Sequence, residues 1–180
     1  MSPESISEAT LILYSNANSS LWELSAGHRP LLTTIFLLML QTNVFLLPDL
    51  IPNSDILTGS CCVVIDVLRA TTTIVTAMGN HASSIIPVAT VEQARLSAQQ
   101  TGGMLGGERD CVKLEGFDFG NSPAEYTRER VENQEITLTT TNGTRALLSS
   151  VEADQVLVAA FANYSAVSRE IANHPKVNII

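Results

Sequence analysis

CCVVIDVLRATTTIVTAMG, residues 61–79, is the stretch that decides the fold class. Cys61 to Ile65 is apolar throughout and Asp66 closes the run. A short apolar run without alternation suits a strand buried on both faces, as in a sheet flanked by helices. Ala70 to Met78 follows as a helix without Pro or Gly, and Gly79 supplies its stop signal. Strand, turn and helix in that order form the repeating unit of an α/β fold.

The same rhythm continues downstream. Ser84–Val88 reads as a strand whose Pro87 belongs at an edge or an end. Thr90 and Gln93 have capping-box spacing and open a helix through Gln100. Strands are expected at Glu135–Thr141, Gln155–Phe161 and Lys176–Ile180, with helices at Thr144–Val151 and Ser165–Ala172. Gly102–Gly107 reads as a glycine-rich loop around a short apolar piece, running on into Glu108, Arg109 and Asp110. Ser122-Pro123-Ala124-Glu125 reads as a helix start, with Ser122 as the cap. The expected architecture is a layered α/β/α fold with helices on both faces of a sheet.

Upstream the character changes. Residues 1–42 are rich in Ser, Leu and Asn and lack the strand–helix rhythm, so the chain divides into an N-terminal extension, 1–42, and a domain, 43–180. Leu31–Leu40 is the one membrane-like run, and it is half the length of about 20 residues that a bilayer core requires. Glu4, Glu8 and Glu23 precede it with only Arg29, which is not the basic start of a signal peptide. No membrane role is expected. At the other end the chain stops inside an apolar strand, and the expectation is a C-terminus cut short.

Composition narrows the function. The 180 residues are 45% hydrophobic and 16% charged, which excludes a disordered tail and permits a sizeable core. Ten Lys plus Arg against 18 Asp plus Glu give a net charge of −8, with no basic footprint for a nucleic acid. Three cysteines, two of them adjacent and none in a C-x-x-C pair, form no disulfide framework. A reducing, cytoplasmic setting is expected.

In open α/β sheets, ligands bind beyond the C-terminal ends of the strands. Three such places carry dense polar clusters: Asp66 to Thr73, Thr139 to Arg145, and Gly106 to Arg109 continuing through Glu115 to Pro123. The first two look alike, with a strand, hydroxyls, one Arg and a helix start. Helix N-termini and Thr hydroxyls offer donors to an anion, Gly143 permits close backbone approach, and Arg69 or Arg145 can clamp a phosphate. Asp66, Glu108, Glu115 and Asp118 would repel that anion unless a cation intervenes, and hard oxygen ligands beside a phosphate fit Mg²⁺. The expected partner is therefore a small anionic phospho-acid bridged to carboxylates by Mg²⁺.

Plainer roles stand beside these. Thr71 and Thr144 can serve as caps, and Ser122 fits a cap better than a catalyst. Arg128 and Arg130 suit a solvated face, Glu115 a surface loop, and Cys61 and Cys62 the core of a strand. His28, His81 and His174 stand alone and receive no role. Asp66 is harder to set aside, because a carboxylate ending a buried strand needs a compensating partner. Known phosphatase plans fail on spacing. The sixth residue after Cys61, Cys62 and Cys111 is Val67, Leu68 and Phe117, never Arg. Asp66 is followed two places on by Leu68 rather than a second Asp. No Walker loop, nucleophile elbow or dinucleotide fingerprint is present.

VVIDVLRATTTIVTA (63–77), GGERDCVKLEGFDFGNSPAEYT (106–127) and TTTNGTRAL (139–147) resemble the 2-phosphosulfolactate phosphatase family, the ComB-like proteins, in the family's order. The resemblance runs from about Val44 to Ile180. It implies a layered α/β fold and Mg²⁺-dependent hydrolysis of (2R)-2-phospho-3-sulfolactate to 3-sulfolactate and phosphate, a step toward coenzyme M. It implies metal ligation by Asp66 and Glu108, with Asp118 next, and anion holding by Arg69, Arg109 and Arg145. Asn142 joins that catalytic set. Thr71, Thr72, Thr73, Asn121, Ser122, Thr140, Thr141, Gly143 and Thr144 fall on the substrate side.

Members have no counterpart to residues 1–41 and run some tens of residues beyond the point matching Ile180. Asp110-Cys111 stands where small, Gly-like residues are expected. Two alternatives stay open: a non-catalytic phosphometabolite-binding protein, and a phosphatase of a related small phospho-acid. Direct water attack and a phospho-enzyme at Asp66 are both compatible with the spacing, and self-association is left open.

Overall fold

A computed structural model describes Leu13–Tyr14 and residues 41–180; the run Leu31–Leu40 and the rest of the extension lie outside the described residues. The strands are β1 (Leu13–Tyr14), β2 (Gln41–Val44), β3 (Cys61–Ile65), β4 (Ser84–Pro87), β5 (Met104–Arg109), β6 (Val112–Lys113), β7 (Glu135–Thr139), β8 (Gln155–Ala159) and β9 (Lys176–Ile179). The helices are α1 (Ala70–Gly79), α2 (Val91–Thr101), α3 (Arg128–Val131), α4 (Gly143–Leu148) and α5 (Tyr164–Ile171).

The α/β alternation is as the sequence predicts, but the strands form two sheets. One has the order β1-β4-β7-β5-β6 and the other β2-β9-β3-β8. The second sheet is parallel throughout. In the first, β4, β7 and β5 are parallel, and β1 and β6 add antiparallel edges. Helices α1 and α4 touch strands of both sheets. α2 lies along β7 and β5, and α5 along β8. The layers therefore run α5, parallel sheet, α1 with α4, mixed sheet, α2.

The apolar run of β3 explains that arrangement. Cys62 and Val64 face the central core with Ile74 and Ala77 of α1, Ile85 of β4, Ile136 and Leu138 of β7, and Leu147 of α4. Cys61 and Val63 face the other way, toward Ala159, Val177 and the α5 residues Val167 and Ile171. Burying each large aliphatic side chain contributes about 1.5–3 kcal/mol, so a strand covered on both faces anchors two layers at once.

Local signals held where tertiary packing agreed with them. Thr90 accepts from Gln93 N at 3.1 Å while Gln93 Oε1 accepts from Thr90 N at 3.1 Å, completing the predicted box. Pro87 ends β4. Two expectations are corrected. The glycine-rich stretch is strand β5, and its glycines make room: Tyr126 Oη lies over Gly106, and the Thr139 carbonyl occupies the space a side chain at Gly107 would need. Ser122 makes no capping hydrogen bond and starts no α-helix; Pro123–Glu125 is a single 3-10 turn. Glu125 folds back so that Gly120 N donates to its Oε2 at 3.0 Å. Tyr126, 1% exposed, stacks on Phe119 and donates to Gly120 O at 2.7 Å. Burying that ring outweighs a local helix preference.

Candidate functional site

Three strand ends meet at one place. β3 ends at Ile65 and leads through Asp66–Arg69 into α1, β7 ends at Thr139 and leads through Thr140–Asn142 into α4, and β5 ends at Arg109. Asp66 comes from the parallel sheet, and Glu108, Arg109 and Thr140–Thr144 from the mixed one. The junction is tight. A Cβ on Gly143 would overlap Ala70 Cβ, and it would lie 3.0 Å from Asp66 Oδ2 and 3.3 Å from Thr140 Oγ1. Glycine at 143 is what lets α1 and α4 begin side by side.

Both turns are closed by a threonine on the following helix. Asp66 N donates to Thr71 Oγ1 at 3.0 Å and Thr71 N donates to Asp66 O at 3.0 Å. Thr140 N donates to Thr144 Oγ1 at 3.1 Å, and Thr144 N donates to Thr140 Oγ1 at 3.0 Å. Thr72 Oγ1 donates to Val67 O and Thr73 Oγ1 to Asn121 O. The hydroxyls of Thr71, Thr72 and Thr144 are thus engaged in building the turns, and that of Thr73 ties α1 to the Asn121 backbone.

Glu108 is 5% exposed and its carboxylate is braced by three donors. Thr141 N reaches Oε1 at 2.8 Å; Thr141 Oγ1 and Cys111 N reach Oε2 at 3.1 and 2.8 Å. The Cys111 contact comes from the two-residue turn joining β5 to β6. Asp110 and Cys111 have φ of 52° and 65° there, the geometry that favours Asn-Gly or Gly-Gly in such hairpins. The Gly-like expectation at 110–111 has this backbone reason. Asp66 is half-buried, and burial pushes its carboxyl above the usual range; the Glu108 charge adds to this, while the Ala70 N–H and Arg69 act against it.

Cationic and neutral donors line an adjoining cleft of about 380 Å³, with Arg109, Thr140, Thr141, Thr144 and Arg145 on its walls. Arg109 donates to Glu108 O at 2.7 Å, Ala89 O at 3.1 Å and Thr139 Oγ1 at 2.9 Å, all uncharged acceptors. Among the described residues it forms no ion pair, and it lines the cleft. Arg145 is exposed and paired with Asp49. Ala89 and Ser149 also line the cleft and carry no motif that sequence reading could have singled out.

Other candidates lie apart from it. Asp118 Oδ2 accepts from Leu105 N at 2.8 Å, near the start of β5, three residues before Glu108 and so about 10 Å along the strand. Its carboxylate fastens the strand rather than joining Asp66 and Glu108. Asn121 is buried, its Oδ1 lacking a hydrogen-bond partner among the described residues; Ser122 is half-buried, and Asn142 is exposed at the start of α4.

Among the described residues no three His, Cys, Asp or Glu side chains gather as a metal cage. Mg²⁺ needs less, since one or two carboxylates with substrate phosphate and water satisfy it. Asp66, half-buried at a strand end with Glu108 nearby, is a carboxylate of the kind such an ion takes.

Residues 45–180 match the family described as 2-phosphosulpholactate phosphatase. The chain belongs to this family. A probable 2-phosphosulfolactate phosphatase of Clostridium perfringens (strain SM101) is 46% identical over 129 residues, covering 69% of this chain and 52% of the relative. Symbiobacterium thermophilum has one at 47% over 125 residues, 68% of this chain and 54% of the relative. Thermotoga petrophila has another at 50% over 105 residues, 58% of this chain and 45% of the relative. The chain spans about half the length of the relatives it matches. All three strand ends of the site fall inside the matched residues. No described helix is long and apolar enough to cross a membrane.

Proposed function

We propose that this chain acts as a Mg²⁺-dependent phosphomonoesterase on a small, multiply anionic acid. The substrate is (2R)-2-phospho-3-sulfolactate, giving 3-sulfolactate and phosphate on a route to coenzyme M. The observation that carries this reading is the convergence, at the loop 140–143, of a carboxylate pair, Asp66 and Glu108, with an arginine-walled cleft. Its size suits a small ligand. A cytoplasmic setting belongs to the same reading and is supported by three free thiols.

Each residue has a task in it. Asp66 would hold Mg²⁺, and Glu108 would add negative charge to that site while fixing the Thr141 backbone. The bound ion would supply polarisation of the phosphoryl oxygens. Arg109 holds an anionic oxygen with a guanidinium fixed in place by uncharged acceptors, so its orientation costs little on binding. Arg145 holds a second acidic group at the cleft's exposed rim, and Arg69, beside Asp66, a third.

The test is phosphate release from 2-phosphosulfolactate, with Mg²⁺ and with a chelator, for the native chain and Asp66→Asn. Metal-dependent release that falls by about a thousandfold or more in the variant is expected, the scale of losing a main electrostatic stabiliser. Near-native release by Asp66→Asn overturns the assignment. The engagement of both Glu108 oxygens by Thr141 and Cys111 favours one second reading, an anion-binding protein without turnover. That reading is met by ligand-induced thermal stabilisation with no phosphate release.

A further inference from the structure

Arg109 and Arg145 share the cleft but are held by different kinds of partner. Arg109 is fastened by uncharged acceptors, whereas the Arg145 guanidinium donates to the Asp49 carboxylate, 96 residues earlier. Asp49 sits in the 3-10 turn Pro48–Leu50, within a strap running from Phe45 to Ile51. Phe45 and Ile51 pack against the central core at the strap's two ends. Between them Leu46, Leu47 and Leu50 are 84%, 59% and 55% exposed, so the middle of the strap has little packing of its own. The ion pair ties it to the cleft.

We propose that Asp49 is a specificity-setting residue that acts through Arg145, its carboxylate standing in for the ligand's second acidic group until that group displaces it. The inference rests on the phospho-acid reading above. The side chains of Arg145 and Asp49 are 54% and 70% exposed, and among the described residues only one guanidinium nitrogen is engaged. Such exposed, single-contact pairs are weak, so an incoming carboxylate or sulfonate can exchange with Asp49 at small cost. An arginine stays cationic whatever its partner, so Arg145 keeps its full charge during the exchange. A ligand carrying a phosphate alone gains from Arg109 and leaves the Asp49 pair in place. A ligand with a second acid gains from both arginines, and Asp49 sets the threshold that it must exceed.

The test is calorimetric titration with Mg²⁺ present, using inorganic phosphate and 3-sulfolactate as probes. The proteins are the native chain, Asp49→Asn, Arg145→Gln and the double variant. Asp49→Asn should tighten 3-sulfolactate by about two- to fivefold, the scale of one exposed ion pair, and change phosphate by less. In the Arg145→Gln background the same change should have no effect, because the competition has lost its object. Weaker 3-sulfolactate binding by Asp49→Asn overturns the inference and makes Asp49 a brace for Arg145. No change, or equal tightening with and without Arg145, overturns it too. If the native chain binds neither probe, the phospho-acid reading falls and takes the inference with it.

Discussion

The turns after β3 and β7 share one backbone design and carry opposite chemistry. In each, a threonine four or five residues on closes the turn by paired hydrogen bonds, and the two helices that follow begin against each other. The residue closed over is Asp66 in the first and Thr140 in the second. One turn therefore presents a desolvated carboxylate, and the other neutral hydroxyls and N–H groups beside two arginines. One way of closing a turn, used five residues apart in the first (Asp66 to Thr71) and four in the second (Thr140 to Thr144), thus sets two different side chains side by side.

The strongest way to break this pairing is at the contact between the two turns. Gly143→Ala puts a methyl group into Ala70 and against Asp66, and one of the two helices must move. A loss of about 2–3 kcal/mol is expected, read from urea unfolding. A loss under about 0.5 kcal/mol would mean that α1 and α4 are not held together there.

Exchanging the closing threonines sharpens the comparison. Thr144→Val leaves the fully buried Thr140 N–H without its acceptor, and about 1–3 kcal/mol should be lost. Thr71→Val does the same to the Asp66 N–H, which is only partly buried, and about 1 kcal/mol should go. Chemical denaturation of both variants tests the ranking, and the reverse order would contradict it.

Smallest is the effect of pH, confined to the first turn. The folded Asp66 carboxyl has its pKa raised, chiefly by burial, so between the ordinary value near 3.9 and the raised one the folded chain binds more protons than the unfolded. Asp66 therefore costs stability as pH rises through that window, and the cost persists at neutral pH. Asp66→Asn should be more stable than the native chain at pH 7, by less than about 1 kcal/mol after allowance for solvent exposure, and equal to it near pH 3. Thermal melts at the two pH values check this; a variant less stable at pH 7 would reverse the sign assigned to Asp66.

Much of the molecule was legible because local and tertiary demands coincide. The run Cys61–Ile65 is apolar on both faces because two layers cover it, and the Thr90–Gln93 box lies on an exposed helix start where packing imposes nothing against it. Ser122 misled for the opposite reason, since Tyr126 had to enter the core. β5 was hidden by glycines whose purpose is to admit Tyr126 and Thr139 from elsewhere in the chain. At the site, Asp66, Glu108, Arg109 and Thr140–Arg145 follow from the strand ends, whereas Asp118 lies in the loop after β6 and its carboxylate reaches the start of β5, away from the site. The contact from Asp49 to Arg145 spans 96 residues, and no motif reports a pairing at that distance.

The left-handed turn at Asp110–Cys111 also has a practical side. Cys61 and Cys62 are sealed in β3, and burial pushes the Cys61 thiol up to about 11 and raises Cys62 as well. Cys111 alone is exposed, and its own N–H is fixed on the Glu108 carboxylate. A thiol-selective fluorophore would therefore attach at one native position, on the rim of the site and one hydrogen bond from it. The chain carries its own attachment point for an optical reporter of ligand binding.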